Sequence, residues 1–304
     1  MEYIVQTTGL TKYYHKFCAL DHVNISVRRG EIYGLIGDNG AGKTTFLKLL
    51  AGQIFPDEGE MVLFGERDPI RINACRMRTG TIIEEPGFYP GLSVEKNLEY
   101  FRIQKGIPGK QSVEDALDLT GLTNARKKKA KTLSYGMKQR LGLAIAILGV
   151  PELLLLDEPI NGLDPSGIIE IRRLLKRLSS EKGITIILSS HILSELEQTA
   201  TVFGFLKDGI LLEQVSAEEL AEKCADYVEI LVSDPEMYTF LLEEKLHHRE
   251  YQIVADGGIR IFNAGEEIEK YSRLASDAGL QIFGLTRYSQ TLEEYYLKLK
   301  NRGK

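Results

Sequence analysis

Residues Gly37 to Thr44 form a glycine-rich stretch, GDNGAGKT, that ends in a lysine and a hydroxyl. The spacing fits the phosphate-binding pattern G-x-x-x-x-G-K-[ST]. The glycines would let backbone N–H groups curl around a phosphate at the start of a helix, whose dipole favours anions. Lys43 would add a positive charge toward the β- and γ-phosphates, and Thr44 a hydroxyl ligand for Mg²⁺. The stretch predicts a nucleoside triphosphate site made by Gly37, Asn39, Gly40, Ala41, Gly42, Lys43, Thr44 and Thr45.

Two carboxylates, Asp157 and Glu158, follow the apolar run 153–156. An apolar strand that ends in acids delivers them to the carboxyl edge of a parallel sheet, where ligands of such folds bind. Asp157 would hold Mg²⁺, and Glu158 would orient or deprotonate an attacking water. Taken alone, the pair is equally compatible with an exposed strand end. The phosphate-binding stretch in the same chain favours the catalytic interpretation.

A second candidate anion site lies at Leu133 to Met137, LSYGM. Ser134 is typical of the residue that caps a helix N-terminus, and the amides around Gly136 would add further donors. As a helix cap without a ligand, the stretch would be ordinary. One chain does not need two phosphate sites for one triphosphate.

In this order and at these separations, the three motifs resemble those of the ATP-binding subunits of ABC transporters, from about Tyr14 to His191. The resemblance implies an α/β P-loop NTPase cassette with a mixed β core and a helical subdomain. It also implies a head-to-tail pair of cassettes, in which LSYGM of one subunit closes over ATP held by the other. The usual family pattern is L-S-G-G-Q; this chain has Tyr135 and Met137 but retains Ser134 and Gly136.

Three further residues are carried over from that resemblance. His191 follows the β-branched run 183–190, where the family has a histidine that contacts the γ-phosphate; by itself it would be an ordinary structural histidine. Asp164 matches the acid that links the two sites across the dimer, or is a plain turn residue. Tyr14 resembles the aromatic that stacks on adenine, with Tyr13 as the alternative.

Glu84 is the clearest departure from the common family pattern. Most ABC ATPases have a glutamine four residues after the glycine, where it senses Mg²⁺ and the membrane subunit; here Gly80 is followed by Glu84. A glutamate there, followed by PGFYP, is similar to the bacitracin and lantibiotic self-protection branch. The resemblance makes Glu84 a third predicted Mg²⁺ ligand with Thr44 and Asp157. The alternative is that Glu84 is a surface acid in a loop whose sequence has diverged from the family pattern.

The composition narrows the class of protein. The 304 residues are 43% hydrophobic and 27% charged, as in globular proteins. The longest apolar run, 141–150, is about half of what a bilayer crossing requires, and the first ten residues lack secretory features. We therefore expect a cytosolic chain that does not span the membrane. The net charge of −5 argues against a nucleic-acid partner, and the three separated cysteines predict reduced thiols.

Alternating strand and helix patterns predict an α/β domain over residues 1–216, which the resemblance makes an ABC nucleotide-binding domain. Serines that can cap helices open two helical stretches in an inserted subdomain at about 90–150. Asp208-Gly209 predicts a hairpin. The predicted elements are strands at 31–37, 152–156 and 183–190, helices at 93–104 and 112–122, and a hairpin over 202–215.

Residues 217–304 predict a small ferredoxin-like α+β module in the order β-α-β-β-α-β. Its predicted strands are 227–233, 251–255, 259–263 and 280–286. Its predicted helices are 235–246 and 266–278, followed by a final helix at 292–300.

The sequence thus predicts an ATPase subunit, peripheral on the inner membrane face, that drives a separate membrane permease and exports a peptide antibiotic or another drug. One alternative is a soluble ABC ATPase that acts on ribosomes or nucleic acid; such proteins usually carry two cassettes or long coiled coils. A nucleotide-gated regulator without turnover is disfavoured because Glu158 and His191 are both present.

Overall fold

The computed structural model describes residues 2–224, 226–254, 257–265, 267–288 and 291–302. The chain divides into two compact units, one ending at Ala217 and one running from Glu218 to Arg302. This boundary lies next to the one predicted from the sequence.

The first unit alternates strands and helices. Its strands are β1 (Tyr3–Tyr14), β2 (Phe17–Val23), β3 (Ser26–Arg28), β4 (Ile32–Ile36), β5 (Glu58–Leu63), β6 (Thr79–Ile82), β7 (Leu153–Leu156), β8 (Thr185–Ser190), β9 (Val202–Lys207) and β10 (Ile210–Ser216). Its helices are α1 (Lys43–Ala51), α2 (Pro69–Cys75), α3 (Val94–Gln104), α4 (Gln111–Leu119), α5 (Tyr135–Ala146), α6 (Pro165–Lys182) and α7 (Leu193–Glu197).

A six-stranded sheet in the order β10-β9-β4-β8-β7-β6 forms the centre of this unit. It is parallel from β9 to β6, and β10 joins its edge as the antiparallel partner of β9. Every residue of β4, β7 and β8 is buried, which explains the apolar sequences of β4 and β7 and the apolar centre of β8 at residues 186–188. These three strands are neighbours, so the segments that follow them meet at one edge of the sheet.

A second, antiparallel sheet carries the start of the chain. β1 pairs with β2, β3 and β5, and its last residue is Tyr14. Phe46 and Leu50 of α1 pack in one core cluster with residues of both sheets. The helix that follows the phosphate-binding stretch is therefore anchored between the two sheets.

Helices α3, α4 and α5 occupy the region predicted as a helical insertion. Ser93 caps α3 as predicted, because its side chain accepts a hydrogen bond from the N–H of Lys96. The predicted cap at Ser112 is wrong. Helix α4 already begins at Gln111, directly after a turn in which Gly109 has φ +68°. It ends at Leu119, earlier than predicted, because Gly121 adopts φ +66°.

The second unit is an α+β module. After α8 (Ala217–Lys223), its elements are β11 (Tyr227–Val232), α9 (Pro235–Leu246), β12 (Tyr251–Ile253), β13 (Ile259–Phe262), α10 (Glu269–Asp277), β14 (Ile282–Tyr288) and α11 (Leu292–Arg302). The sheet order is β12-β13-β11-β14 with antiparallel pairs throughout. Tyr238 of α9 and Tyr271 of α10 pack into the core of this sheet.

Helix α9 has the predicted bounds because Asp234 caps it and Pro235 occupies its first position. Strand β14 begins and ends two residues later than predicted. The predicted end of a strand at Ala255, the turn residue Asp256 and the predicted helix start at Glu266 lie outside the described residues.

Candidate active site

The phosphate-binding stretch links β4 to α1, and the side chain of its own lysine hydrogen-bonds back to the backbone of the stretch. Lys43 is buried, and its Nζ donates to the carbonyl oxygens of Gly37, at 2.6 Å, and Asp38, at 3.1 Å. Gly42 has φ +106°, and a Cβ there would lie 2.5 Å from the carbonyl oxygen of Ala19. Only glycine fits this position, and without a side chain it leaves the backbone N–H groups at the start of α1 uncovered. The lysine side chain thus lies beside the amides that would hold a phosphate.

Asp157 is held by two hydroxyls from neighbouring elements. The hydroxyl of Thr44 donates to its Oδ2 at 2.8 Å, and the hydroxyl of Ser189 donates to its Oδ1 at 2.6 Å. Asp157 directly follows β7, Ser189 lies on β8 and Thr44 lies in the first turn of α1. The fold therefore brings together two of the three predicted metal ligands, Thr44 and Asp157, and places the hydroxyl of Ser189 against Asp157.

Glu158 connects Lys43 to His191. One carboxylate oxygen lies 3.4 Å from Lys43 Nζ, and the other 2.9 Å from His191 Nδ1. Its backbone has φ +47°, which is uncommon for a residue other than glycine. The Glu158 N–H donates to the hydroxyl of Ser189 at 2.9 Å, which holds this conformation. The two predicted catalytic side chains, Glu158 and His191, are thus in direct contact.

A cavity of about 270 Å³ lies against the phosphate-binding stretch. Its lining includes every residue from Asp38 to Thr45, together with Glu158 and Tyr14. Tyr13 does not appear among its described lining residues; the N–H of Tyr13 donates to Asp57.

Phe17 also lines this cavity and was missed by sequence reasoning. It lies directly opposite Tyr14 in the β1–β2 register, and 62% of it is exposed. The signal that could have found it is the tight reversal between the strands at His15-Lys16, which places both rings at the same end of the hairpin.

Ser134, Gly136 and Asp164 are absent from the described lining of this cavity. Ser134 caps α5, and its hydroxyl accepts from the N–H of Met137 at 3.4 Å. Asp164 caps α6, and hydrogen bonds from the Ser166 hydroxyl and the Gly167 N–H lower its pKa. These helix starts are therefore separate from the phosphate cavity of their own chain.

Glu84 pairs with a lysine on the helix of the phosphate-binding stretch. Its Oε1 lies 2.5 Å from Lys48 Nζ, and its backbone has φ +66°. Within the part of the chain that the structure describes, Glu84 does not line the cavity. Sequence reasoning missed Lys48 as its partner.

The oxygen donors of the site suit Mg²⁺. Thr44 and Asp157 present a hydroxyl and a carboxylate, which are hard oxygen ligands. Within the described ranges, no group of three or more histidine, cysteine, aspartate or glutamate side chains could hold a metal. Mg²⁺ usually binds through one or two carboxylates together with substrate phosphates, so the set fits an ion bound with a nucleotide.

Comparison with known proteins indicates the same family as the sequence motifs, over most of the chain. A family model described as ABC transporter matches residues 20–161. The bacitracin transport ATP-binding protein BcrA of Enterococcus faecalis is 43% identical over 303 residues, which is 100% of this chain and 98% of the relative. The lantibiotic transport ATP-binding protein SrtF of Streptococcus pyogenes is 42% identical over 212 residues, 69% of this chain and 90% of the relative.

A solved structure extends the likeness to the fold. The dimeric ATP-binding cassette MJ0796, in a post-hydrolysis state bound to ADP and Pi, is similar with a TM-score of 0.63 and 25% identity. The likeness covers 70% of this chain and 98% of that chain. None of the helices within the described ranges combines the length and apolar composition needed to cross a bilayer.

Proposed function

Since this chain belongs to the ABC transporter family and is one of its ATP-binding and ATP-hydrolysing subunits, we propose that it is the motor of a peptide-antibiotic exporter. The predicted family, α/β fold and ATPase activity are confirmed by the likenesses to BcrA, SrtF and the post-hydrolysis cassette. The roles of individual residues, the dimer arrangement, the permease and the cargo are the proposal.

The observation that carries the proposal is the contact of Glu158 with both Lys43 and His191, beside the Thr44–Asp157 pair. Lys43 and the amides after it bind the β- and γ-phosphates. Glu158 accepts a proton from the attacking water, and His191 orients Glu158 and contacts the γ-phosphate. Thr44 and Asp157 would hold Mg²⁺, which would supply positive charge beside the phosphate oxygens, and Glu84 stays a predicted further ligand. Tyr14 stacks on the adenine.

Two copies are proposed to bind head to tail, so that Ser134, Gly136 and Asp164 of one complete the site of the other. Their separation from the phosphate cavity of their own chain supports this arrangement. The likeness to a dimeric cassette supports a pair of subunits.

A separate membrane permease is the proposed second partner, because the transport named for the relatives has to cross a membrane. Through this partner the chain is proposed to lie at the inner face of the cell membrane. The cargo is proposed to be a peptide antibiotic of the bacitracin or lantibiotic kind, on the strength of the two relatives and Glu84.

Mixing two inactive variants tests the shared site. Neither Lys43→Ala nor Ser134→Arg alone leaves a complete site in a head-to-tail pair. A mixed pair of the two contains one site with both residues intact, so mixing should restore part of the ATPase activity. Ser93→Arg is the control, since Ser93 caps α3 in the way that Ser134 caps α5. Failure of the mixture to hydrolyse ATP, with both variants folded and exchanging subunits, would count against the head-to-tail pair.

The cargo needs a test in cells. Deleting the gene should raise sensitivity to bacitracin-type or lantibiotic peptides, and the parental gene should restore resistance while the Lys43→Ala gene should not. Unchanged sensitivity to both kinds of peptide would refute the proposed cargo but would not contradict the assignment of ATPase activity.

A further inference from the structure

Ser189 is a fully buried hydroxyl between the two acids of the site. Its exposed fraction is 0%. Its Oγ donates to Asp157 Oδ1 at 2.6 Å and accepts from the Glu158 N–H at 2.9 Å. One hydroxyl therefore uses both its donor and an acceptor position on the two successive residues that follow β7.

The sheet register places Ser189 at this point. Leu188 of β8 pairs with Leu156, the last residue of β7, so Ser189 follows beside Asp157. Successive side chains of a strand point to opposite faces. Accordingly, Ser190 turns away, and its hydroxyl accepts from the N–H of Ile192 at 3.0 Å. Of the two adjacent serines, only Ser189 contacts the acids.

Ser189 fixes the orientation of Asp157. With Ser189 on one carboxylate oxygen and Thr44 on the other, the plane of the carboxylate has little freedom to rotate. Groups that hydrogen-bond a metal ligand set its direction, and their loss weakens metal binding or activity.

Ser189 also fixes the backbone of Glu158. A residue other than glycine with φ +47° stores strain that the surroundings must hold. Ser189 accepts the hydrogen bond of the Glu158 N–H, and the Glu158 carbonyl oxygen accepts from the N–H of Asn161 at 3.2 Å. Lys43 and His191 bind the side chain. Without the hydroxyl, the partly buried Glu158 N–H loses its partner, and the strained peptide is free to reorient.

We propose that Ser189 is a positioning residue for ATP hydrolysis, which orients the metal-binding Asp157 and the water-activating Glu158 through one hydroxyl. The inference rests on the roles proposed above for these two acids. It assigns a function to a serine that no motif in the sequence marks.

Ser189→Ala in the full chain is the test, with Thr185→Val as the matched control. Thr185 lies on the same strand and is equally buried, and its hydroxyl accepts from the N–H of Gly30, far from the acids along the strand. Removing an outer hydrogen bond of a metal site typically costs about 10- to 100-fold. We expect kcat of Ser189→Ala to fall by that factor with KM nearly unchanged, and Thr185→Val to keep its kcat.

Nucleotide binding gives a readout that does not depend on turnover. The Mg²⁺ concentration needed for tight binding of fluorescent ADP should rise about tenfold in Ser189→Ala, whereas binding in EDTA should equal that of the parent. Parental kcat and Mg²⁺ dependence in Ser189→Ala, or the same losses in Thr185→Val, would overturn the inference.

Two further variants separate the possible failures. Ser189→Thr keeps the hydroxyl and should keep the parental Mg²⁺ dependence; a folded threonine variant with the alanine defect would also overturn the inference. Glu158→Gln tests the role of the acid itself. If Glu158→Gln loses hydrolysis while Ser189→Ala does not, only the role of Ser189 fails; if Glu158→Gln hydrolyses normally, the proposed role of Glu158 fails.

Discussion

Glu158→Gln removes one charge from the site and keeps the shape of the side chain. In the structure the carboxylate lies 3.4 Å from Lys43 Nζ and 2.9 Å from His191 Nδ1. The glutamine amide oxygen can still accept a hydrogen bond from one of these groups, so the surroundings should stay folded. What disappears is the ionised group that can take a proton from water.

The substitution should act in opposite directions on turnover and on binding. General-base catalysis contributes about 10²- to 10⁴-fold, so kcat should fall by that factor. Opposite charges 3.4 Å apart attract by about 5 kcal/mol at an effective dielectric constant near 20. Desolvation cancels most of this attraction and leaves about 1–2 kcal/mol. Because Lys43 is then no longer neutralised in the empty site, ATP should bind about 5- to 30-fold more tightly.

Two measurements separate these effects. Steady-state phosphate release gives kcat, and displacement of a fluorescent nucleotide in EDTA gives the affinity without hydrolysis. Glu66→Gln is the control, because it removes the same charge from a pair with Arg71 on the surface of the same unit. Glu158→Gln with the parental kcat would refute the assignment of the general base. A lower affinity for ATP would refute the reasoning about Lys43.

Two other predictions concern stability and nucleotide affinity. Hydrogen bonds from Arg78 and then Arg29 to the Glu152 carboxylate lower its pKa to about 2. Because the folded pKa lies below the usual value, this stabilisation is present at neutral pH and disappears as the pH falls toward 2. With 35% of the side chain exposed, solvent screening reduces the gain to about 1 kcal/mol. Urea unfolding should show Glu152→Gln less stable than the parent at pH 7 and equal to it near pH 2; a constant gap would contradict this. Phe17→Ala should weaken ATP binding by about 1–3 kcal/mol if the ring stacks on the base, whereas Phe55→Ala, at a ring that is also largely exposed, should not. Equal affinities of Phe17→Ala and the parent in titrations would exclude stacking.

Local chemistry in the sequence was enough to predict most elements. The hairpin at Asp208-Gly209 and helix α9 depend on a turn dipeptide and on an Asp-Pro helix start, which act within a few residues. The strands that precede the site are buried on both faces and so appear as apolar runs. Ser112 shows the limit of this reasoning, because a capping residue type was present but the helix had already begun.

The parts of the site that escaped prediction depend on contacts between distant segments. Ser189 meets Asp157 only because β7 and β8 are paired in one register. Lys48 meets Glu84 across the space between α1 and the segment after β6. Neither contact leaves a local pattern, since serine in a strand and lysine on a helix are ordinary. The motifs that we propose to be catalytic could be recognised from the sequence, but the side chains that hold them required the sheet order.

The proposed division of the site between two chains can supply the free energy that closure of the pair on ATP requires. Lys43, Glu158 and His191 follow neighbouring strands and meet within one chain, whereas Ser134 caps a helix start that contributes no described residue to that cavity. In the proposed dimer, a γ-phosphate bound to Lys43 also contacts the first turn of the partner's α5, and ADP lacks these contacts. Only such differential contacts shift an equilibrium between open and closed pairs. Moving a pair from 1% to 99% closed takes about 5.5 kcal/mol, and hydrogen bonds to charged groups contribute about 1.5–3 kcal/mol each. Two to four bonds from the γ-phosphates to Ser134 and its neighbouring amides are therefore sufficient to close the pair, and their loss on hydrolysis is sufficient to open it.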